Sequence, residues 1–265
     1  MGCQVTRRIG VVGNGAIGSV VARGLANGLV DGASLECVVV RSTCTTLLAP
    51  AVPLDEALRR CDLIVEAAGH QFVCDHGERI LSAGPDLLVA SIGALADEIL
   101  YARLLAARPG RLFLTTGALG GLDLISAARR LAPFDKIELV TTKLARALIQ
   151  PWMTPTERQK LVTATSPIDV HRGSAREVAR RFPKSANVAA ALALAARTWD
   201  VQVLLRADPM ATATSHRISA QHPSGSYHFE IENAPDAANP ATSAVVPFAM
   251  LRGIATVTGE RGQII

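Results

Sequence analysis

Two observations predict an α/β protein whose first half is a doubly wound parallel sheet. Short apolar β-like runs alternate with helical stretches through the first half of the 265 residues, the pattern of parallel strands joined by crossover helices. The core must also be aliphatic, since hydrophobic residues make up 49% of the chain and aromatics only 4%. Buried parallel sheets and their covering helices have that composition. A third observation concerns the second half: after Gly117 the alternation gives way to strands of antiparallel character, so a separate α+β unit is expected.

Taken in order, Ile9–Val12 reads as the first strand, and an Ala/Val/Leu-rich helical run reaches Leu29. Leu35–Val40 is the second strand. Leu54–Arg60 is a short helix, Leu63–Ala68 a third strand, and Gln71–Ser82 another helix. Asp86–Ile92, helical Asp97–Ala107 and strand Arg111–Thr115 complete the alternation. Gly120-Gly121 opens a helix through Leu131, and Ile137–Thr142 is a strand. The stretch with Pro151, Pro155 and Pro167 reads as irregular, an interface arm or a lid. Ser174–Arg181 and Asn187–Thr198 read as helices split by Phe182-Pro183. Val201–Ala207, Thr212–Gln221 and Tyr227–Asn233 then suggest an antiparallel meander, turning at Pro223-Ser224-Gly225-Ser226. The apolar segment from Thr242 to about Val257 reads as a closing helix capped by Thr242-Ser243 and packed on the first domain. The expected organisation is therefore 1–118, 119–241 and a returning helix in 242–265.

The formal charge of +4 arises from scattered arginines rather than from a basic tract. A nucleic-acid reader would show clustered basic residues within a recognisable motif, and that class is set aside. A mild positive excess suits an enzyme whose substrate and cofactor are anions. The five cysteines are odd in number and lack C-x-x-C spacing, which fits reduced thiols in a cytoplasmic protein. Cys37, Cys61 and Cys74 sit in apolar periodic runs and read as core fillers. Residues 1–8 contain no apolar stretch of signal-peptide type, and no membrane span is expected.

Gly13-Asn14-Gly15-Ala16-Ile17-Gly18 follows an apolar strand and opens a helix. In that context the three glycines serve a tight turn, close approach of backbone to a pyrophosphate, and helix–strand packing. The helix N-terminus adds free N–H groups and a positive dipole end. Dinucleotide binding in a Rossmann-type domain is the expectation. At the end of the second strand, where an acid would grip the ribose of NAD, the chain reads Val40-Arg41-Ser42. Two readings stay open: Arg41 pairs with the 2′-phosphate of NADP, or it stacks on adenine and NAD is preferred. Ala68-Gly69-His70 follows the third strand at the carboxyl edge, where ligands bind in this fold. His70 is a cofactor-side candidate there, with a capping or solvent role as the alternative.

Six histidines are present. His216 lies on an expected strand, on the face of Ile218 and Ala220, so it is either an acid–base group or a packed structural residue. No His, Cys or carboxylate set has metal-ligand spacing, so no metal is expected. Lys184, at the break after Pro183, is the first cationic candidate for an acidic substrate, with Lys143 and Arg146 behind it.

Several ordered segments together resemble the L-aspartate dehydrogenase family. They are Val65-Glu66-Ala67-Ala68-Gly69-His70-Gln71, Ala90-Ser91-Ile92-Gly93-Ala94-Leu95-Ala96-Asp97, Thr116-Gly117-Ala118-Leu119-Gly120-Gly121-Leu122-Asp123, Arg181-Phe182-Pro183-Lys184, Asn187-Val188-Ala189-Ala190, Ala207-Asp208-Pro209 with Thr214-Ser215-His216, Phe229-Glu230-Ile231-Glu232-Asn233, and Asn239-Pro240 with Thr242-Ser243. The resemblance spans residues 9 to 255. It implies a Rossmann domain plus a dihydrodipicolinate reductase-like α+β domain with an open mixed sheet, and a homodimer. It further implies oxidative deamination of L-aspartate to oxaloacetate and ammonia through iminoaspartate, with NAD or NADP as cofactor, and a possible supply of that imine to NAD biosynthesis. By resemblance His216 is the catalytic histidine, and Ala118 and Asn187 are nicotinamide-proximal. The chain departs from the family's Pro-Lys-Asn-x-Asn at Ser185, a substrate-binding candidate, and from Lys-Pro-Pro at Lys143-Leu144-Ala145. Two alternatives remain on sequence: a related dehydrogenase or imine reductase acting on another small acid, and a dinucleotide-binding sensor without turnover.

Overall fold

The structure is a computed structural model that describes residues 6–41, 47–236, 239 and 242–260, the side chain of Lys184 excepted. The chain divides into two compact units, residues 1–117 with 246–265, and residues 118–245.

In the first unit, β1 (Arg7–Val12), β2 (Ala33–Val39), β3 (Leu63–Glu66), β4 (Asp86–Val89) and β5 (Leu112–Leu114) form one sheet in the order β2-β1-β3-β4-β5. Every pairing is parallel. Helices α1 (Ala16–Ala26), α2 (Leu54–Arg60), α3 (His70–Ala83) and α4 (Glu98–Ala106) connect the strands. The strand order reverses at β1, with β2 on one side and β3 on the other. A crevice at the carboxyl ends of the strands is expected at such a switch point. β1, β3 and β4 place Ile9, Val11, Leu63, Val65 and Leu88 against Val21 and Leu25 of α1. Val246–Thr258 is the last helix among the described residues, and it adds Met250, Leu251 and Ile254 to that core. It begins at Val246 rather than at Thr242. Thr242 instead closes a loop, its carbonyl accepting from Asp236 N at 2.8 Å and its hydroxyl from Asn239 Nδ2 at 3.2 Å.

At the opposite edge, the buried Asp86 carboxylate accepts from Arg7 and Arg111, each at 2.8 Å. Burial opposes its charge, but the hydrogen bonds from Arg111 and Arg7 prevail and hold the carboxyl below its usual range.

The second unit carries α5 (Leu122–Leu131), β6 (Lys136–Leu144), α6 (Pro155–Val162), β7 (Ile168–Ser174), α7 (Ala175–Arg181), α8 (Ala186–Ala195), β8 (Gln202–Asp208), β9 (Thr214–His222) and β10 (Gly225–Asn233). With these named, the last helix is α9. The sheet order is β10-β9-β6-β8-β7. β9 and β10 form the expected hairpin, with His222 paired to Gly225 across a two-residue loop. The three-stranded meander is not formed. β8 lies parallel to β6 and antiparallel to β7, while β6 separates it from β9. Fully buried Val203, Leu205 and Ala207 need cover from both neighbouring strands, and a place inside the sheet supplies it. The stretch expected to be irregular contains α6, and the edge strand β7 follows it. α6 is closed by a capping box: Thr154 Oγ1 accepts from Glu157 N at 3.2 Å, and Glu157 Oε2 accepts from Thr154 N at 2.7 Å.

Candidate active site

The glycine loop has the shape its sequence requires. Gly13 has φ +96°, and a Cβ there would lie 2.5 Å from the Ala67 carbonyl oxygen. A Cβ on Gly18 would lie 2.1 Å from the Gly13 oxygen. Only glycine fits either position without moving backbone. At Gly15 a Cβ would meet nothing within 4 Å, so the loop is open where a phosphate would approach. Gly15 also caps α1, whose first turn has neither a side-chain cap nor an acidic residue. The N–H groups and positive dipole end of α1 are therefore directed to an outside anion. Gly13 N donates to Val39 O at 2.9 Å, which sets the loop beside the end of β2. Arg41 follows two residues on and is exposed; Ser42 falls outside the described residues. Asn14, Ala16 and Ile17 complete this wall. The residues fit a dinucleotide.

One buried acid organises the neighbouring turn. Glu66, at the end of β3, is fully buried. Its Oε1 accepts from Ala68 N at 2.7 Å, Gly69 N at 2.8 Å and Ser91 Oγ at 2.9 Å. Its Oε2 accepts from Ser91 N at 2.9 Å. A carboxylate taken from water stays satisfied only by such a set of donors. The turn Ala68-Gly69-His70, with Gly69 at φ +114°, thus hangs from Glu66 and Ser91. His70 opens α3. Glu66 was not singled out from sequence; the signal was a lone acid closing an otherwise apolar strand.

In the second unit His216 stands on the buried face of β9, 1% exposed, between apolar Ile218 and the end of β10. β6 runs alongside and pairs Thr141 with His216. Thr141 Oγ1 lies 3.0 Å from His216 Nδ1. Among the described residues, Nε2 has no hydrogen-bond partner. Two residues further along β6, on the same face, Lys143 Nζ donates to Ser185 Oγ at 3.4 Å. Ser185 is buried at the junction of the short 3₁₀ turn Pro183–Ser185 and α8. Burial, then the nearby Lys143 charge, press the imidazole pKa down to about 4. Burial likewise lowers the Lys143 ammonium below its usual value. His216, Thr141, Lys143 and Ser185 therefore form one cluster.

Other residues named from sequence lie in the same unit. Ala118 is buried, and its carbonyl accepts from Asn233 Nδ2 at 3.0 Å. Asn187 is exposed on the first turn of α8. The backbone of Lys184 lies in the 3₁₀ turn, but its side chain falls outside the described residues. The remaining histidines of this unit have structural partners. His222 locks the hairpin through Ser224 Oγ at 2.6 Å and Ala132 O at 3.1 Å. His171 packs on Phe182 with ring centroids 5.4 Å apart. His228 lies 3.4 Å from Ser219 Oγ. Cys37 and Cys61 are buried with their sulfurs 3.5 Å apart, whereas Cys74, expected as a core filler, is exposed. Its helix α3 buries Val73 and Gly77 instead, and position 74 turns outward. Among the described residues no group of three or more His, Cys, Asp or Glu is placed to hold a metal ion. Among them no helix is long and apolar enough to cross a membrane.

Comparison with known proteins agrees with both units. Residues 13–110 match the family described as homoserine dehydrogenase, NAD binding domain. Residues 123–257 match the family described as aspartate dehydrogenase, C-terminal. L-aspartate dehydrogenase 2 of Bordetella pertussis is 37% identical over 94% of this chain and 96% of its own length. L-aspartate dehydrogenase of Methanocaldococcus jannaschii is 32% identical over 92% of this chain and 94% of its own. The crystal structure of aspartate dehydrogenase from Thermotoga maritima superposes with a TM-score of 0.72 over 98% of both chains, at 22% identity, and shares the fold. With a matching family over its second half and relatives covering nearly its whole length, the chain belongs to the aspartate dehydrogenase family.

Proposed function

We propose that the protein catalyses the NAD(P)-dependent oxidative deamination of L-aspartate, giving oxaloacetate and ammonia through iminoaspartate. The observation that carries this reading is His216: an imidazole buried on a strand, held at Nδ1 by Thr141, with Nε2 unpartnered among the described residues. When bound, the nicotinamide accepts hydride from the substrate Cα. The residues of this chain do the rest. The neutral His216 removes a proton from the substrate ammonium, which leaves an amine able to release hydride as the imine forms. After releasing that proton to solvent, it takes a proton from a water that adds to the imine carbon, and returns it to nitrogen as ammonia departs. The overall reaction is L-aspartate + NAD(P)⁺ + H₂O giving oxaloacetate, NH₄⁺, NAD(P)H and H⁺. Burial first, and then the Lys143 charge, depress the imidazole pKa. A substrate carboxylate beside Lys143 offsets that charge and raises the base towards the working pH.

In this reading the loop Gly13–Gly18, Arg41 and the turn Ala68-Gly69-His70 hold the dinucleotide, and Ala118 and Asn187 serve its nicotinamide end. Lys184 and Ser185 contact substrate. The protein acts as a cytoplasmic homodimer that pairs through the sheet face opposite His216, where Val140, Thr142 and Ser219 are half-buried. Its imine can feed nicotinamide dinucleotide synthesis.

The test is formation of reduced nicotinamide by the purified protein with L-aspartate, beside D-aspartate, L-glutamate and L-homoserine, at alkaline pH. Turnover of L-aspartate that falls about 10²- to 10⁴-fold in His216→Ala is expected. Turnover of none of them, or a His216→Ala variant with normal kcat, overturns the reading.

A further inference from the structure

A cavity of about 290 Å³ opens within the second unit and is walled by Lys143, Arg146, Thr212 and Thr214 together with small apolar residues. Its size lies at the bottom of the range for ligand pockets, about 300 Å³ upward, which suits a small metabolite rather than a nucleotide. Among the described residues no carboxylate lines it. Two cations and two hydroxyls facing one small space are arranged for an anion. Thr214 lies on β9 two residues before His216, and Lys143 on β6 two residues after Thr141. The cavity therefore adjoins the catalytic cluster along the same face of the sheet.

Arg146 is the distinctive member. β6 ends at Leu144, and a 3₁₀ turn, Ala145–Leu148, follows with Ala145 and Leu148 buried. Those two anchors leave Arg146 exposed between them, at the cavity wall. Two other arginines of this unit are ion-paired, Arg206 with Asp169 at 2.7 Å and Arg217 with Glu230 at 2.6 Å. Among the described residues Arg146 has no ion pair and no hydrogen bond. A guanidinium without a partner beside an acid-free cavity is a fork presented for a carboxylate from outside.

We propose that Arg146, with Thr212 and Thr214, binds the side-chain carboxylate of the substrate, while Lys143 and Ser185 face its α-carboxylate, so that Arg146 sets the preference for a four-carbon dicarboxylic amino acid. This rests on the L-aspartate reading and adds the residue that selects the distal acid. Arg146 is a specificity residue, remote from the proton transfers at His216.

The experiment compares wild type, Arg146→Met and Arg146→Lys on L-aspartate and on L-2-aminobutyrate, in which a methyl replaces the distal carboxylate. Arg146→Met is expected to raise KM for L-aspartate about 10- to 100-fold, the loss of a charged hydrogen-bonding partner, with kcat much less affected. That split marks lost binding rather than lost chemistry. L-2-aminobutyrate should lose far less, so the preference ratio collapses, and Arg146→Lys should recover part of it. An unchanged ratio in Arg146→Met overturns the proposal and leaves the activity reading intact. Succinate binding, measured by calorimetry on the same proteins, separates the two claims further. If wild type turns over no L-aspartate but binds succinate through Arg146, the activity reading fails and the carboxylate site stands. Succinate affinity that is equal in wild type and Arg146→Met removes the site.

Discussion

Thr141 Oγ1 and His216 Nδ1 meet at 3.0 Å inside the buried face of the second sheet, 75 residues apart in the chain. The contact fixes the plane of the imidazole and leaves Nε2 as the nitrogen that would act on substrate in the proposed reaction. Thr141→Val keeps the shape and removes the hydroxyl. It should lower kcat about 10-fold or more, because a general base must be held within hydrogen-bonding reach of its proton. Cofactor affinity should stay as in wild type, and Thr141→Ser should restore most of the rate. Steady-state kinetics with fluorescence titration of reduced cofactor checks this, and an unimpaired Thr141→Val would remove Thr141 from the positioning role.

His216 also links stability to acid. Its folded pKa of about 4 lies below the ordinary 6.5, so the unfolded chain binds the proton more readily. The stabilising contribution is present above about pH 6.5 and is lost as pH falls towards 4, to a total of about 3 kcal/mol. Thermal melts between pH 7 and pH 4 should show a steeper acid loss in wild type than in His216→Gln. Parallel curves would contradict the buried neutral imidazole.

Glu66 is expected to govern cofactor binding without touching the cofactor. Glu66→Gln replaces one carboxylate oxygen by an amide NH2 that cannot accept, so either Ser91 N or the Ala68 and Gly69 N–H groups lose their acceptor. A buried donor left unsatisfied costs about 1–3 kcal/mol. The variant should melt several degrees lower, and its dissociation constant for reduced cofactor should rise about 10-fold, as the Ala68-Gly69 turn loses its anchor. A stable variant with wild-type cofactor affinity would show that the turn holds itself.

Arg41 is where the two cofactor readings can be told apart. If it pairs with a 2′-phosphate, NADP is used at least as well as NAD, and Arg41→Asp raises KM for NADP about 10-fold or more while sparing NAD. Equal kinetic constants for NADP in both proteins would reduce Arg41 to an adenine contact.

Local chemistry made much of this legible from the chain. The five parallel strands announced themselves as apolar runs between helical periods, and Gly13, Gly15 and Gly18 as a strand–turn–helix fingerprint whose backbone only glycine can follow. Thr154-Pro155-Thr156-Glu157 also carried a legible capping signal for α6, which the neighbouring prolines obscured. β7 was harder to see, because an edge strand half open to water lacks strict alternation.

His216 could be reached from sequence as a candidate, yet its strand position also suited a packed structural residue. Only the tertiary structure set Thr141 beside one ring nitrogen and Lys143 close by. The same holds for Lys143 against Ser185, for Glu66 against Ser91, and for β8 lying between β6 and β7 rather than beside β9. Periodicity and turn chemistry act over a few residues, so the sequence by itself determined which segments became strands, helices and the phosphate loop. Which strands pair, and which side chains from distant strands then share a buried space, depends on covering apolar faces across the whole domain. That choice belongs to the tertiary fold alone.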